Sequence, residues 1–321
     1  MRKICTIGGG TGNFVVLKGL KDYQLDISAI VSMADDGGST GILRDELGVL
    51  PAGDVRQCAV ALSDASILMR NLMSYRFENG WLKGHSFGNI FLSALEKVTG
   101  SFEKAIEEIG KVLNIKGNVI PVTTDQVRLK MILNNGDLLD GESEIYLSRK
   151  IDRGYKKIFL NEFSSANPNA INKILNADAI IFGPGGLYTS LIANLLVDGI
   201  PAAIRDSKAK KILVVNLMNR RGQTTGFKVS DYVREIGKFI GGDVFDVILV
   251  NNQAPVEELI EAYHEEGELI KNDMIDSRLV EAPLLGEVAK INIGDIMNRN
   301  LIRHDFKKLA EQLMKIIDGG V

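Results

Sequence analysis

The stretch ICTIGGGTGNF, residues 4–14, decides the fold. It joins a short apolar run to four Gly within five positions, and a short amphipathic segment follows. β-branched residues before a Gly block favour a strand and a turn, and the amphipathic segment predicts a helix. Free N–H groups and the positive end of a helix dipole meet at such a turn. We therefore predict a phosphate-binding loop, the first Gly loop, formed by Gly9, Gly10, Thr11, Gly12 and Asn13.

The nucleotide that such a loop would bind stays open. Gly8 and Gly10 match the first two positions of the dinucleotide fingerprint, but Asn13 stands where a third Gly is expected. The Lys of a Walker loop is also missing. NAD is therefore kept as an alternative ligand, and a tight turn that merely needs Gly is the structural alternative.

Composition narrows the class of protein. The chain has 321 residues and a net charge of −3, and it shows no basic stripe with interleaved aromatic residues, so a nucleic-acid polymer is not an expected partner. Cys5 and Cys58 lie in apolar segments, which predicts buried, reduced thiols. No signal peptide pattern and no apolar run of membrane-spanning length is found. We expect a cytoplasmic protein with no membrane partner.

Strands and helices alternate through most of the chain. The apolar strand at 27–33 runs into a helical segment, as in the βαβ unit of a parallel sheet. The same pattern returns later, with apolar strands AIIF, KKILVV and FDVILV and with helical stretches at 188–198, 229–239, 256–266 and after RHD. These patterns predict an α/β fold whose mainly parallel sheet is flanked by helices.

Residues 86–160 carry two further patterns. Residues 86–113 predict two helices broken near Gly100. From 116 to 160, the segments VIPVTT, VRLKMIL, ESEIYL and YKKIFL favour strands, and NNGD supplies a hairpin turn. We interpret this part as an antiparallel meander inserted into the parallel sheet or packed on it, within one elaborate domain over 1–321.

A pair of carboxylates follows the second strand. Asp35 and Asp36 come at its carboxyl end, where open α/β sheets bind ligands. They predict either hydrogen bonds to a ribose or a Mg²⁺ site, and a solvated turn is the structural alternative. The GGSTG that follows adds a second cluster of N–H groups, the second Gly loop, with candidate residues Gly37, Gly38, Ser39 and Thr40.

A third loop has the same form. In GPGGLYTS, residues 183–190, a strand breaks at Gly and a helix begins beside hydroxyl groups. We predict that Gly183, Gly185 and Gly186, the third Gly loop, bind a ligand, with the Tyr188 ring facing a base or sugar and the Thr189 hydroxyl in contact.

Weaker candidates remain, each with a structural alternative. GHSFGN offers His85 and Asn89 at a helix start, where capping also explains the polar residues. PAGDVRQ offers Asp54 and Arg56, with an exposed turn as the alternative. Arg303 carries a planar fork suited to a diphosphate, or it pairs within the final helix.

The motifs together resemble one family over nearly the whole chain. GGGTGN, DDGGSTG, PAGDVR, GHSFGN, GPGGLYTS and RHD occur in this order, as in the YvcK family of gluconeogenesis factors within the CofD 2-phospho-L-lactate transferase group. VTTDQVRL is similar to a segment of the transferases. The resemblance implies a modified Rossmann-like fold, binding of UDP-sugars such as UDP-N-acetylglucosamine, and support of gluconeogenic growth, cell-wall precursor supply and cell shape. In the CofD branch it implies phospholactyl transfer from a guanosine diphosphate donor, with a divalent metal at Asp35 and Asp36.

Three functions stay open at this point. GPGGLYTS differs more from the transferases than from the YvcK branch, although Gly186 and the Asn219–Arg221 segment depart from the YvcK pattern too. The first function is a nucleotide-sugar-binding regulator, and the second is a Mg²⁺-dependent transferase in which Arg56 neutralises developing charge. The third and weakest is an NAD-dependent oxidoreductase. A homodimer is the default expectation for such a protein.

Overall fold

The computed structural model describes residues 1–286 and 302–320. Its centre is a parallel sheet of seven strands in the order β10-β9-β8-β7-β1-β2-β3. The strands of this sheet are β1 (Arg2–Gly8), β2 (Leu25–Val31), β3 (Asn118–Pro121), β7 (Ala179–Phe182), β8 (Lys210–Val214), β9 (Val247–Asn251) and β10 (Leu279–Ala282). A separate antiparallel sheet of three strands contains β4 (Leu129–Leu133), β5 (Leu138–Asp140) and β6 (Tyr155–Leu160).

Helices flank the parallel sheet. Those before the small sheet are α1 (Thr11–Leu20), α2 (Gly38–Leu47), α3 (Gly53–Leu62), α4 (Ile67–Ser74), α5 (Phe87–Thr99) and α6 (Phe102–Leu113). Those that follow are α7 (Glu142–Leu147), α8 (Pro168–Leu175), α9 (Ala193–Leu195), α10 (Ile200–Asp206), α11 (Val229–Ile240), α12 (Glu257–Tyr263) and α13 (Phe306–Ile317). A π-helical segment, Leu187–Ile192, leads into α9, and a 3₁₀ turn covers Ile151–Arg153. The α/β fold is thereby confirmed.

The strand order contains a switch point between β1 and β7. From β1 the chain builds outward through β2 to β3, and from β7 it builds in the other direction to β10. β1 pairs in parallel with both neighbours, for example Ile4 with Ile27 and with Ala179. In open α/β sheets the crevice at the carboxyl ends of the two strands that flank this reversal is the usual ligand site. Here those two ends carry the first and third Gly loops.

The β-rich segment differs in part from the prediction. NNGD does connect the antiparallel pair β4 and β5, and β6 pairs with β4 from the other side. The first three residues of VIPVTT, however, belong to β3, which pairs in parallel with β2 at the edge of the main sheet. ESEIYL is helix α7 rather than a strand. In that segment Ile145 is the buried position, and the carboxylate of Asp36 caps the first turn, so tertiary contacts override the alternation of residues.

The core lies on both faces of the parallel sheet. The last five residues of β1 and of β2 are buried, and the free thiols of Cys5 and Cys58 are buried as predicted. The predicted break between α5 and α6 occurs at Gly100, which adopts a left-handed conformation with φ of 69°. Within residues 1–286 and 302–320, no helix combines the length and hydropathy that crossing a membrane requires.

α13 packs along α1. Gly19 of α1 lies so close to α13 that a Cβ atom there would overlap the carbonyl oxygen of Phe306. The ammonium group of Lys18 lies 4.2 Å from the centre of the Phe306 ring. The chain therefore brings residues 302–305, which precede α13, back to the helix that starts at the first Gly loop.

Candidate functional site

A cavity of about 300 Å³ opens at the switch point. We call it the switch-point cavity, and its volume lies at the lower end of the range found for small-molecule sites. Its described lining combines Gly-rich backbone, carboxylates, cations and an apolar wall. The lining residues are Gly10, Thr11, Gly12, Val15, Asp35, Asp54, Gln57, Glu142, Tyr146, Pro184, Gly185, Gly186, Leu187, Thr189, Ser190, Asn216, Leu217, Met218, Asn219, Arg220, Gln223, Thr224, Tyr232, Tyr263, Glu266, Gly267, Ile302, Arg303 and His304.

The first Gly loop presents the N-terminus of α1 to the cavity. Gly10, Thr11 and Gly12 line it, and the first N–H groups of a helix have no partner within that helix. Gly12 has a second constraint, because a Cβ atom there would overlap the carbonyl oxygen of Pro184. The first and third Gly loops are therefore in direct contact. Gly9 and Asn13 lie behind this surface, and Asn13 is buried with its amide 3.9 Å from the Cys58 sulfur.

The third Gly loop is held by an Asn that the sequence analysis did not select. The Gly185 N–H donates to Asn216 Oδ1 at 2.9 Å, and Asn216 Nδ2 donates to the Gly185 carbonyl at 2.8 Å. Gly183 has a φ of 71°, which favours Gly there. The loop delivers the N-terminus of the π-helical segment to the cavity, with Gly185, Gly186 and Thr189 in its lining. Asn216 lies two residues after β8, and that position at the carboxyl edge was the available signal.

Three carboxylates face the cavity from different elements. Asp35 follows β2, Asp54 lies in the first turn of α3, and Glu142 begins α7. Burial is the main cause that raises the pKa of Glu142 well above its ordinary value, and the charges of Asp35 and Asp54 add to it. The pKa of Asp35 is raised by burial too, although hydrogen bonds from Gly37 and Thr40 oppose the change. Sequence analysis missed Glu142 because its segment was expected to be a strand.

Asp36, which the sequence pairs with Asp35, does not line the cavity. Its Oδ1 accepts from the Ser143 N–H at 2.8 Å, and its Oδ2 accepts from the Glu142 N–H at 3.1 Å. These are N–H groups of the first turn of α7, so the carboxylate caps that helix. The residues do not fit the expected metal pair, since Asp36 is occupied in this way and the described residues contain no cluster of three or more acidic, His or Cys side chains suited to a metal.

The second Gly loop and two neighbouring motifs form a separate network. Arg56 is buried and donates from Nε to Asn89 Oδ1 at 2.7 Å and from a terminal nitrogen to the Met73 carbonyl at 3.1 Å. Asn89 donates to Thr40 Oγ1, and His85 Nδ1 lies 3.3 Å from Ser39 Oγ. None of the candidates Gly37, Gly38, Ser39, Thr40, Arg56, His85 and Asn89 is among the described lining residues. Their contacts instead hold α2, α3 and α5 together.

Tyr188 is also displaced from its expected place. It is buried, its hydroxyl lies 3.4 Å from Glu235 Oε1, and its ring meets Tyr155 edge to face with centroids 5.5 Å apart. Its aromatic face is therefore used inside the protein, because in the π-helical turn the side chain points toward α11. Gly183 likewise lies outside the lining. Arg303, in contrast, lies in the cavity lining, before α13 rather than within it.

A stacked Arg and Tyr add charge to the cavity. The guanidinium of Arg220 lies 3.6 Å from the centre of the Tyr146 ring, an arrangement that orients the cation. Gln223 donates to the carbonyls of Ile145 and Tyr146 and so connects this loop to α7. Arg220 falls in the Asn219–Arg221 segment that departs from the YvcK pattern, and the sequence analysis left the role of that segment open.

One wall of the cavity is apolar. Leu217, Met218, Tyr263 and Ile302 form a buried cluster that is separate from the main core, and all four line the cavity. His304 lies beside them and is 8% exposed. The cavity is thus lined by N–H donors at two helix starts, by the carboxylates of Asp35, Asp54 and Glu142, and by an apolar wall beside the imidazole of His304.

The fold defines a Rossmann-like α/β protein with a cavity at its switch point. A model of the family described as 2-phospho-L-lactate transferase CofD matches residues 4–289. A gluconeogenesis factor of Bacillus subtilis is 39% identical over 318 residues, which cover 98% of each chain. Another from Halalkalibacterium halodurans is 37% identical over 317 residues, covering 98% of this chain and 96% of the relative.

A solved structure agrees with these sequence relatives. The crystal structure of a UPF0052 family member from Bacillus halodurans matches with a TM-score of 0.88 and 36% identity, covering 98% of this chain and all of that one. The chain belongs to the CofD family, and within it to the gluconeogenesis factors also described as YvcK or UPF0052 proteins.

Proposed function

We propose that the protein is a regulator that binds a nucleotide sugar resembling UDP-N-acetylglucosamine in the switch-point cavity. One observation carries the proposal: the N-termini of α1 and of the π-helical segment Leu187–Ile192 open onto the same cavity, and their loops touch at Gly12 and Pro184. Two helix starts that face one space form a site for two linked phosphates, because each supplies N–H donors and a positive dipole end.

The rest of the cavity matches the other parts of such a ligand. Arg220 and Arg303 bring positive charge for the diphosphate. Asp35 and Asp54 are suited to accept hydrogen bonds from ribose or sugar hydroxyls. The apolar wall suits the face of a base. This division of chemistry favours a ligand with anionic, polyhydroxyl and aromatic parts over a simple phosphate.

The biological role that we propose is the one implied by the family. Relatives that match over nearly their whole length are named gluconeogenesis factors. In this proposal the bound nucleotide sugar reports on the supply of cell-wall precursors, and the protein supports cell shape and growth on gluconeogenic carbon sources. We expect the parent gene to complement a deletion strain and a binding-deficient variant not to complement it.

A transferase is the second candidate. It is favoured by the family model, which bears the name of a transferase, and by Asp35 and Glu142 facing the same cavity. A transferase of this kind would show binding of a guanosine diphosphate that depends on Mg²⁺. The same titration therefore separates the two functions.

The test is calorimetry with UDP-N-acetylglucosamine, guanosine diphosphate and NAD, each with and without Mg²⁺. We expect the UDP-sugar to bind most tightly, and Arg220→Met to weaken it by about tenfold or more, as loss of a charge-assisted contact implies. Arg234→Met is the control, because Arg234 pairs with Asp231 on the surface of α11. Mg²⁺-dependent binding of guanosine diphosphate alone would overturn the regulator proposal in favour of the transferase.

A further inference from the structure

Helix α4 turns most of its apolar side chains toward solvent. Five of its eight residues are apolar, yet Met73 is the one that is buried. Leu68 is 78% exposed and Ile67 is 68% exposed. A helix on the surface of a globular protein normally directs its apolar stripe toward the core. Packing within the protein therefore does not explain the composition of α4.

The exposed face of α4 continues into the segment that follows the helix. Leu68, Leu72 and Tyr75 are spaced by four and three residues, so they lie on one side of the helix. The ring of Tyr75 meets the ring of Phe77 edge to face, with centroids 5.2 Å apart. The apolar face of α4 is thus joined to residues beyond its end.

A short loop then carries the single Trp of the chain into solvent. The Phe77 N–H donates to the His85 carbonyl at 2.9 Å, and the Gly84 N–H donates to the Phe77 carbonyl at 2.8 Å. These bonds close residues 77–85 into a loop, and Trp81 lies in its middle, 89% exposed. We call the exposed apolar side chains of the helix and this loop the α4 patch, which consists of Ile67, Leu68, Leu72, Tyr75 and Trp81.

The α4 patch combines two kinds of apolar side chain. The aliphatic ones are purely apolar, whereas the rings of Tyr75 and Trp81 are apolar with one polar O–H or N–H. Trp and Tyr favour the headgroup level of a bilayer for that reason, and aliphatic side chains favour the acyl chains just below it. Exposed patches of this kind mark interaction sites. The combination is the one that peripheral membrane proteins place against a bilayer.

Cations accompany the α4 patch. Residues 66–86 contain three cations and one carboxylate, although the chain as a whole has a net charge of −3. The cations are Arg70, Arg76 and Lys83, and the carboxylate is Glu78. No ion pair neutralises the three cations among residues 1–286 and 302–320. The local charge is therefore opposite in sign to that of the chain and complements an anionic surface.

We propose that the α4 patch docks the protein on a membrane surface that contains anionic lipids. Its apolar side chains enter the headgroup and upper acyl region, and the three cations lie beside the lipid phosphates. A membrane partner was not expected from the sequence, because no segment has membrane-spanning length, but docking on the surface needs none. No patch residue is among the described lining residues of the switch-point cavity, so this inference does not depend on the proposed ligand.

A second copy of the chain is the alternative occupant of the α4 patch. In a two-fold contact the same surface of each copy meets the other, so three cations from each copy would come together with only one carboxylate from each. Like charges that face each other across an interface weaken it. A bilayer with anionic lipids supplies the negative charge that a second copy lacks.

Trp81 makes the test direct, because it is the only Trp of the chain and its fluorescence reports on the α4 patch. The full chain without nucleotide is mixed with vesicles of phosphatidylcholine, or of equal parts of phosphatidylcholine and phosphatidylglycerol. With the anionic vesicles we expect the emission of Trp81 to shift to shorter wavelength and the protein to sediment at least about fivefold more than with neutral vesicles. Added salt should reduce this sedimentation, because it screens the cations.

Variants locate the contact on the protein. Leu68→Gln should lower sedimentation by about threefold or more, because an apolar side chain is withdrawn from the bilayer. Lys83→Gln should lower sedimentation with the anionic vesicles only. Phe163→Gln and Lys208→Gln are the matched controls, because both residues are exposed outside the α4 patch, and they should leave sedimentation unchanged. Circular dichroism establishes that each variant is folded.

Four results would overturn the inference. The first is that anionic vesicles neither shift the emission of Trp81 nor sediment the parent at low salt, and the second is equal sedimentation with neutral and anionic vesicles. The third is an emission shift with protein concentration alone, together with a dimer in light scattering, because a second copy then covers the patch. The fourth is a loss for Phe163→Gln as large as that for Leu68→Gln, because the membrane then contacts another surface. None of these results bears on the nucleotide site, which calorimetry tests separately.

Discussion

Glu142 begins α7 and faces the cavity together with Asp35 and Asp54. Its raised pKa, caused first by burial and then by these neighbouring charges, means that the folded protein takes up this proton more readily than the unfolded chain does. The stability that the protonated form provides is present at low pH and is lost as the pH rises from the ordinary carboxyl value of 4.5 through the raised one.

Replacing Glu142 by Gln should therefore stabilise the protein at neutral pH. We expect a melting temperature about 1–2 °C higher at pH 7, corresponding to about 1 kcal/mol for a chain of this size, with the gain vanishing near pH 4. Thermal unfolding of the parent and of Glu142→Gln from pH 4 to pH 8 measures the gain in melting temperature and its dependence on pH. Glu144→Gln is a control on the same helix, because Glu144 lies outside the cavity lining. A gain that is constant with pH would show that the pKa of Glu142 is the same in the folded and the unfolded protein.

Single residues show which site predictions the sequence supports. The positions of Thr11, Gly12 and Asp35 could be predicted because they lie in short loops after strands β1 and β2. Such loops lie at the carboxyl edge of a parallel sheet. Arg56 and Tyr188 lie within helical segments, so the direction of their side chains depends on the rotation of those segments. Neither composition nor spacing fixes that rotation. His304 and Asn216 reach the cavity through contacts between distant parts of the chain.

At the scale of elements, α7 is the clearest example of tertiary control. The helix is six residues long, and its start at Gly141 has a φ of 123° with the Asp36 carboxylate pressed against it. Short helices are marginal in isolation. The capping carboxylate comes from a residue more than 100 positions earlier, so no local pattern in the sequence signals it. The pairing of β3 is also set by a distant part of the chain. The local pattern of VIPVTT is compatible with an antiparallel strand, but its partner in the fold is β2, with which it pairs in parallel.

Removing the cap should weaken α7 and the cavity wall that it carries. We expect Asp36→Ala to lower the free energy of unfolding by about 1–2 kcal/mol, as measured by urea titration, and to weaken UDP-sugar binding because Glu142 and Tyr146 shift. Asp36→Asn should have a smaller effect, since the amide still accepts one hydrogen bond. Asp140→Ala is the control, because it removes only a surface carboxylate paired with Lys130. If the parent binds its ligand in a Mg²⁺-dependent way and Asp36→Asn abolishes that binding, helix capping alone does not account for the role of Asp36.

At the scale of the whole molecule, the cavity draws on both ends of the chain. The first Gly loop opens α1, and residues 302–304 reach the same cavity because α13 packs along α1. The parallel sheet and its flanking helices were predictable from apolar strands alternating with helical stretches. The return of the last helix to the first was not predictable, because the amphipathic pattern of α13 indicates a buried face but not its partner.

The contact at Gly19 tests this connection. Gly19→Ala should push α13 away from α1, because the new methyl group overlaps the Phe306 carbonyl. We expect a loss of about 1–3 kcal/mol in stability together with weaker UDP-sugar binding through displacement of Arg303 and His304. Gly110→Ala in α6 is the matched control, because its Cβ meets only the flexible end of Ile115 at 3.1 Å. Full affinity in a folded Gly19→Ala protein would show that the residues before α13 hold their positions without that packing.

The packing of α13 on α1 also has a consequence for protein synthesis. The first Gly loop leaves the ribosome early, but Ile302, Arg303 and His304 emerge only after all seven strands of the parallel sheet. A nascent chain that has exposed β1 through β10 therefore has the sheet but not the complete cavity, and the proposed nucleotide sugar would lack part of its binding surface there. Under the proposed function, we therefore expect the ligand to assist folding only once the chain extends past residue 304, and chains cut before residue 302 to gain no protection from it.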